Sequence, residues 1–244
     1  MFSFGTVNLI FVVFVILYLP RIWCWFGSFK KQKRLYNSKK NKLALIIPAR
    51  NEGKAVLSLF ESIENQSYDR SNFDVFVVVK EYDDPVIEYA KAIGAEVFVD
   101  VNQTCKGDCL DSTIKTLLKE KTGVYDGFLI VDADCVLDFK FMEEMNNAME
   151  SGADVINAKK LVKNYLPGNQ QNCNWVTACN GLIWTFMDEM GNRWKSDHGF
   201  TTMTVTTGIL FSKKLVEKWG GWIYRSTLTE DMELERDCAL QGYK

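Results

Sequence analysis

The chain has 244 residues, 47% of them hydrophobic and 25% charged, with a formal net charge of −2; this suits one sizeable globular domain with an appendage and excludes disordered and fibrous classes. Eight of the 29 Lys and Arg, and none of the 31 Asp and Glu, fall in residues 1–42, which leaves 21 basic against 31 acidic residues, a net −10, in 43–244. An acidic body argues against a nucleic-acid binder, whose main domain needs a basic face for phosphates.

The chain opens with MFSFGTVNLIFVVFVILYLP, twenty residues without a charged side chain. A membrane-spanning helix needs roughly 20 mostly apolar residues. A cleaved signal peptide would carry basic residues before the apolar run and a small-residue cleavage site after it; here the bases follow (Arg21, Lys30, Lys31, Lys33, Arg34, Lys39, Lys40, Lys42) and no such site is present. The expectation is a transmembrane anchor over 1–20, a basic juxtamembrane segment over 21–42, and a body over 43–244 that faces the cytoplasm, where Lys/Arg-rich flanks stay. Trp23, Trp25 and Phe26 are expected at the interface, with the basic stretch on anionic lipid headgroups. The seven cysteines are odd in number and form no C-x-x-C pair, which reads as reduced thiols in a cytosolic domain.

KLALIIPARNEG, from Lys42, begins as a buried strand over 43–47 and breaks at Pro48. KAVLSLFESIENQ has helical spacing, with Val56, Leu57, Phe60 and Ile63 on one face. FDVFVVV is a second buried strand. DDPVIEYAKAIG is a short helix with Pro85 in its first turn and Gly94 past its end. AEVFVD is a third strand, DCLDSTIKTLLKEK a helix, GFLIVDAD a fourth strand, FKFMEEMNNAMESG a helix and ADVINAKK a candidate fifth strand. NWVTACNGLIWTFMDEMGNRW, 174–194, is rich in Trp and Met and reads equally as an acceptor-side helix near the membrane or as a core helix. VTTGILFSKKLVEKWGGW is a strand, a short helix and a double-glycine turn. TLTEDMELERDCALQGYK places Thr229, Glu230 and Asp231 at the start of a last helix. Strands alternating with helices predict an α/β domain on a mostly parallel sheet buried on both faces.

In such sheets ligands bind at the carboxyl ends of the strands. Arg50, Asn51 and Glu52 follow the first strand, Asp83 and Asp84 the second, and Asp132 and Asp134 the fourth. Residues two apart in extended chain point the same way, so Asp132 and Asp134 can bracket one Mg²⁺ or Mn²⁺, which prefers hard oxygen ligands and leaves room for phosphate oxygens. The competing account makes both of them turn and helix-cap residues. No phosphate-binding G-x-x-x-x-G-K-[ST] or dinucleotide G-x-G-x-x-G is present, and His198 is the only histidine, so a His-based zinc site or Ser-His-Asp triad has little support. Glu230 and Asp231 have their own bland reading, as first-turn acids that suit the helix dipole.

Six segments in order resemble the family 2 glycosyltransferases, which have the GT-A fold: IIPARNE at 46–52, DD at 83–84, KGDCLD at 106–111, DAD at 132–134, TTGILFSKKLVEKWGGW at 206–222 and TEDMELERDCALQGYK at 229–244. The nearest likeness is to membrane-bound bacterial polysaccharide synthases. The resemblance implies that Pro48, Ala49, Asn51 and Glu52, with Asp83 and Asp84, hold the base and ribose of a nucleotide sugar, and that Lys106 sits near its nucleotide end. It implies that Asp132 contacts the ribose and metal side, that Asp134 ligates Mg²⁺ or Mn²⁺, that Gly208 lets the backbone approach the sugar, and that Asp231 is the general base. Two departures stand out. The second strand ends in Val79, Lys80 and Glu81, where members often carry an Asp. Polymer-making members also have a Q-x-x-R-W motif and further membrane helices after the TED helix, and this sequence reaches Lys244 before that region, so a truncated product or a member needing a partner membrane subunit is expected. The expected function is an inverting, metal-dependent transfer from a UDP-sugar to a saccharide or lipid-linked acceptor. The alternatives are an inactive donor-binding or scaffold relative, and a nucleotidyltransferase, whose glycine-rich basic loop is replaced here by PARNEG.

Overall fold

The runs with the least polar character become strands: β1 (Leu43–Pro48), β2 (Phe73–Val79), β3 (Glu96–Val99), β4 (Gly127–Ile130), β5 (Val155–Asn157) and β6 (Ile209–Ser212). The computed structural model of the chain describes residues 4–29, 34–166, 168, 173–225 and 229–244. Its sheet runs β3-β2-β1-β4-β6-β5. β1 to β4 pair in parallel, whereas β6 lies antiparallel between β4 and β5. The expectation of a mostly parallel sheet therefore holds for its first four strands, and the alternation of strands and helices gives a mixed α/β sheet.

Period-two alternation sorts each strand between two cores. Leu43, Leu45 and Ile47 of β1 point into one, with α2 (Val56–Glu64), α3 (Val86–Ala92) and α5 (Phe141–Ala148). Ala44 and Ile46 point into the other, with α4 (Lys106–Glu120), α8 (Lys213–Trp219) and α9 (Glu230–Gln241). Burial on both faces is why β1, and β2 from Val75 onward, read as unbroken apolar runs. α4 starts at Lys106, two residues earlier than its apolar pattern alone indicates.

The chain divides into two compact units. One comprises residues 34–158 and 204–244; the other comprises 1–33 and 159–203. In the second, α6 (Trp175–Thr185) leads through a π-helical stretch, Phe186–Asn192, into α7 (Arg193–Asp197), and that stretch and α7 both contact α1 (Phe4–Ser28). The Trp/Met-rich segment 174–194 is thus no part of the sheet's core.

The anchor expected over 1–20 is not supported. Among the described residues no helix is long and apolar enough to cross a membrane. The apolar run is not a separate element; it continues as one helix through Pro20 and Arg21 to Ser28, and it has helical neighbours of its own. The basic segment over 21–42 also divides. Lys30, Lys31 and Lys33 lie outside the described residues. Residues 34–42 belong with the sheet, and several of their expected lipid-facing bases are paired with acids of that unit: Lys39 with Asp126 at 2.8 Å, Lys42 with Asp74 at 2.9 Å, and Arg34 with Glu144. Burial alone would push the Asp126 carboxyl up, but the Lys39 ammonium and the Lys42 N–H outweigh it and hold it below the ordinary carboxylate range. Four buried asparagines complete the seam: Asn146 Oδ1 accepts from Asn41 Nδ2 at 2.8 Å and from Asn41 N at 3.1 Å, while Asn37 N donates to Asn147 Oδ1 at 3.1 Å. Buried amides satisfied this fully specify one arrangement.

Candidate active site

A cavity of about 320 Å³ opens at the carboxyl ends of β1 and β4, lined by Pro48, Ala49, Arg50, Glu52, Gln103, Cys105, Lys106, Cys109, Asp132, Ala133 and Asp134. Three chain segments meet there because β1 and β4 are neighbours and α4 begins beside them. Ala49 N donates to Val78 O at 2.8 Å, which extends the β1 ladder one residue past Pro48. The chain then turns through Asn51, the one non-glycine with positive φ (58°) among the described residues. That left-handed position suits Asn better than most side chains.

Asp132 and Asp134 lie not in extended chain but in a turn closed by Cys135 N donating to Asp132 O at 3.1 Å. Both nevertheless line the cavity. The Lys106 ammonium bonds Asp132 Oδ1 and also reaches Thr206 O at 3.2 Å and Thr206 Oγ1 at 3.3 Å. Asp132 N donates to Thr207 Oγ1 at 3.0 Å. Asp134 is exposed, and among the described residues its carboxylate meets the Cys135 thiol at 3.9 Å and no Lys or Arg. No group of three or more His, Cys, Asp and Glu among the described residues could enclose a metal. One open carboxylate and one tethered carboxylate fit a hard divalent cation that takes most of its oxygens from a phosphorylated ligand.

Gln103 is 6% exposed and its Nε2 has no hydrogen-bond partner among the described residues. An amide donor buried at a cavity wall costs free energy unless an acceptor reaches it. Burial pushes the Cys109 thiol up to about 12 and also raises Cys135, which disfavours the thiolate form.

Of the residues expected at the donor site, Pro48, Ala49, Glu52, Lys106, Asp132 and Asp134 line this cavity. Asn51 stands outside its lining. Asp83 lies in a separate shallow hollow of about 400 Å³ with Lys80, Glu81, Tyr82 and Val101. Asp84 is buried, and its Oδ1 accepts from Val86 N, the first residue of α3, at 2.9 Å, so its carboxylate is turned to the backbone. Gly208 has φ +64°, donates to Ile130 O at 2.8 Å and accepts from Ala158 N at 2.7 Å; a Cβ there would meet Ala158 at 3.1 Å. Its glycine character answers to the backbone at the start of β6 and not to the cavity. Arg50, expected at this rim, is in the lining; Gln103, Cys105, Cys109 and Ala133 were not expected there, because nothing in a single sequence marks which loop residues turn inward.

The KGDCLD and GGW segments meet on the far side of Lys106. Asp111 is 5% exposed; its Oδ1 accepts from Trp222 N at 3.0 Å, and its Oδ2 accepts from Arg225 at 2.9 Å and Lys115 at 2.8 Å. A Cβ on Gly107 would come within 2.5 Å of Tyr224 O. Glycine at 107 lets the 222–225 backbone lie directly on the first turn of α4.

The family profile described as glycosyltransferase like family 2 matches residues 40–244. The chain belongs to this family 2-like group of glycosyltransferases. No curated protein matches it by sequence. Among solved structures, the mannosyltransferase PcManGT from Pyrobaculum calidifontis, in complex with GDP-Man and Mn²⁺, is similar with a TM-score of 0.67 at 13% identity, over 96% of this chain and 64% of that one. TarS 1–349 from S. aureus is similar with a TM-score of 0.51 at 15% identity, over 82% and 55%. At such identities the likeness is one of fold, and this glycosyltransferase-family chain spans less than two thirds of either length.

Proposed function

We propose that the protein is an inverting glycosyltransferase that moves a sugar from a nucleotide sugar, a UDP-sugar in the first instance, to a saccharide or lipid-linked acceptor. The observation that carries this reading is the cavity at the ends of β1 and β4, lined together by an exposed Asp134, a tethered Asp132, the Lys106 side chain and Gln103, whose buried Nε2 has no partner among the described residues. A nucleoside diphosphate matches it: anionic oxygens for Lys106 and acceptors for Gln103. The crystallised relative with GDP-Man and Mn²⁺ supports the donor class and the use of a divalent cation.

Asp134 and Asp132 would hold Mg²⁺ or Mn²⁺. When bound, such an ion neutralises charge on a departing diphosphate. Pro48, Ala49 and Glu52 would flank the nucleoside on the β1 side. Lys106, already inside the cavity, adds a fixed positive charge beside the leaving group, where a low-dielectric site makes it most effective. Asp231 would take the proton from the acceptor hydroxyl as the anomeric carbon passes through an oxocarbenium-like state.

The direct test is release of free nucleotide from a panel of UDP- and GDP-sugars with Mn²⁺ or Mg²⁺ present. Turnover of at least one donor is expected; tight nucleotide binding with no release from any donor would make the protein a donor-binding relative.

The place of action in this reading is the cytoplasmic face of a membrane. It is supported by α1, which exposes Leu9, Ile10, Phe11, Leu17, Trp23 and Phe26, and by the sequence of residues 1–33, which carries four bases and no acids. Apolar surface of that kind seeks a lipid or protein cover. The full chain is expected to float with vesicles of phosphatidylcholine and phosphatidylserine and to lose this on deletion of residues 1–29. A full chain that stays with the soluble fraction would refute membrane attachment.

A further inference from the structure

The threonines before β6 lie between the donor cavity and the start of α9. Thr204 Oγ1 donates to Asp231 O at 2.9 Å. Thr206 Oγ1 donates to Glu230 Oε1 at 2.8 Å and accepts from Lys106 Nζ at 3.3 Å. Thr207 Oγ1 accepts from Asp132 N at 3.0 Å. Thr204 and Thr206 are each 5% exposed. Three hydroxyls within four residues therefore tie the turn carrying Asp132 to the turn carrying Asp231, and Lys106 is shared between Asp132 and Thr206.

We propose that Thr206 is a positioning residue that couples occupancy of the donor cavity to the placement of Asp231. A hydroxyl has one donor and two acceptor sites. Thr206 gives its proton to Glu230 and takes a charged hydrogen bond from Lys106, so Lys106, Thr206 and Glu230 form a polarised chain in which each bond strengthens the next. Glu230 is the residue before Asp231, and Thr204 holds the Asp231 carbonyl from the same segment. A diphosphate arriving at Lys106 draws on the same ammonium that Asp132 and Thr206 share. The first turn of α9 thereby senses the donor through Thr206. This role explains why Glu230, which does not line the cavity, turns its carboxylate onto Thr206. It rests on the transferase reading for its consequence in turnover but not for the coupling itself.

The test uses the full chain with Thr206→Val, which keeps the shape and removes the hydroxyl, and Thr206→Ser, which restores it. Amide hydrogen exchange in the first turn of α9 is expected to quicken about tenfold in Thr206→Val, the scale of one lost hydrogen bond, and to stay at the wild-type rate in Thr206→Ser, with β1 and β4 unchanged in both. Glu230→Leu is expected to act like Thr206→Val, and the two together no worse than either, as for partners in one interaction. In the nucleotide-release assay Thr206→Val lowers kcat about tenfold or more and leaves donor KM within about twofold, and Thr206→Ser recovers kcat. Equal exchange in Thr206→Val and wild type, equal damage from Ser and Val, or uniform acceleration in β1 and β4 as well would each overturn the coupling. If the wild-type protein turns over no donor, the transferase reading falls, and the exchange comparison, repeated with and without UDP and Mn²⁺, decides the coupling by itself: a nucleotide-induced change in the first turn of α9 in wild type that is lost in Thr206→Val supports it, and the same response in both overturns it.

Discussion

Asp231→Asn is expected to keep nucleotide and metal binding and to lose turnover by about 10²-fold or more, the scale of a positioned acid–base group. An acceptor hydroxyl is a poor nucleophile until its proton is taken as the new bond forms. Asp231 is suited by its placement at the start of α9, whose first turn is fixed on both sides of the residue. Thr204 holds its carbonyl, and Glu230 before it is held by Thr206. Its own Oδ1 accepts from Met232 N at 2.9 Å, which leaves Oδ2 for a substrate. Glu230 is committed to Thr206, so the two adjacent acids have different tasks. If Asp231 were only a first-turn acid, Asn would cost about 0.3–1 kcal/mol and, in a chain of this size, move the melting temperature by roughly 1–4 °C with turnover intact. Nucleotide release measured beside thermal melting separates the two accounts, and preserved kcat would remove Asp231 from the catalytic machinery.

The second large effect is expected at Asp134. Like Glu52 it is a carboxylate of the cavity with no cationic side chain upon it among the described residues, whereas Asp132 carries Lys106. A divalent cation would therefore displace nothing at Asp134. Asp134→Asn keeps size and shape and removes the charge. Loss of a residue that merely orients a ligand to a metal typically costs 10–100-fold in affinity, so loss of a direct carboxylate ligand is expected to weaken Mn²⁺-dependent UDP binding by about 10²-fold or more. Metal-free binding, which rests on Lys106 and Gln103, is expected to stay near wild type. Calorimetry with and without Mn²⁺ reads both. Unchanged Mn²⁺-dependent affinity would dismiss Asp134 as a metal ligand and return the Asp132–Asp134 pair to the status of turn residues.

Much of the catalytic unit was legible in the residues alone. β1, β4 and β2 beyond Asp74 are visible because strand segments buried on both faces must be apolar, and Pro48 and Asp132 show where the β1 and β4 runs leave the sheet. The rim at those ends follows from topology: parallel neighbours end on the same side, so Pro48 and Ala49 stand beside Asp132 and Asp134. Lys106 is legible as a donor-site residue only through the family likeness, and its place at the opening of α4 only in the structure. Its bond to Asp132, which makes it part of the cavity, is a contact between residues 26 positions apart. The tertiary structure also decided what local pattern could not. Asp84 resembles a rim acid in sequence, yet its carboxylate takes the N–H of Val86 two residues on, a local bond that short polar side chains make before helices. Gly208 answers to the backbone beside Ala158 and Ile130. The basic residues of 34–42 look like lipid contacts in a charge count, but Asp126, Asp74 and Glu144 lie where they meet them. The apolar start of the chain reads as a span because composition records what side chains are; whether a helix stands alone or lies among others, as α1 does beside residues 186–197, is a property of packing. Charge, apolar periodicity and chain order determined the class of fold and one rim of the cavity, because these act locally. Which acids turn to the backbone, which are paired and which stand open was decided by long-range contacts, because those depend on what the folded chain brings within 3 Å.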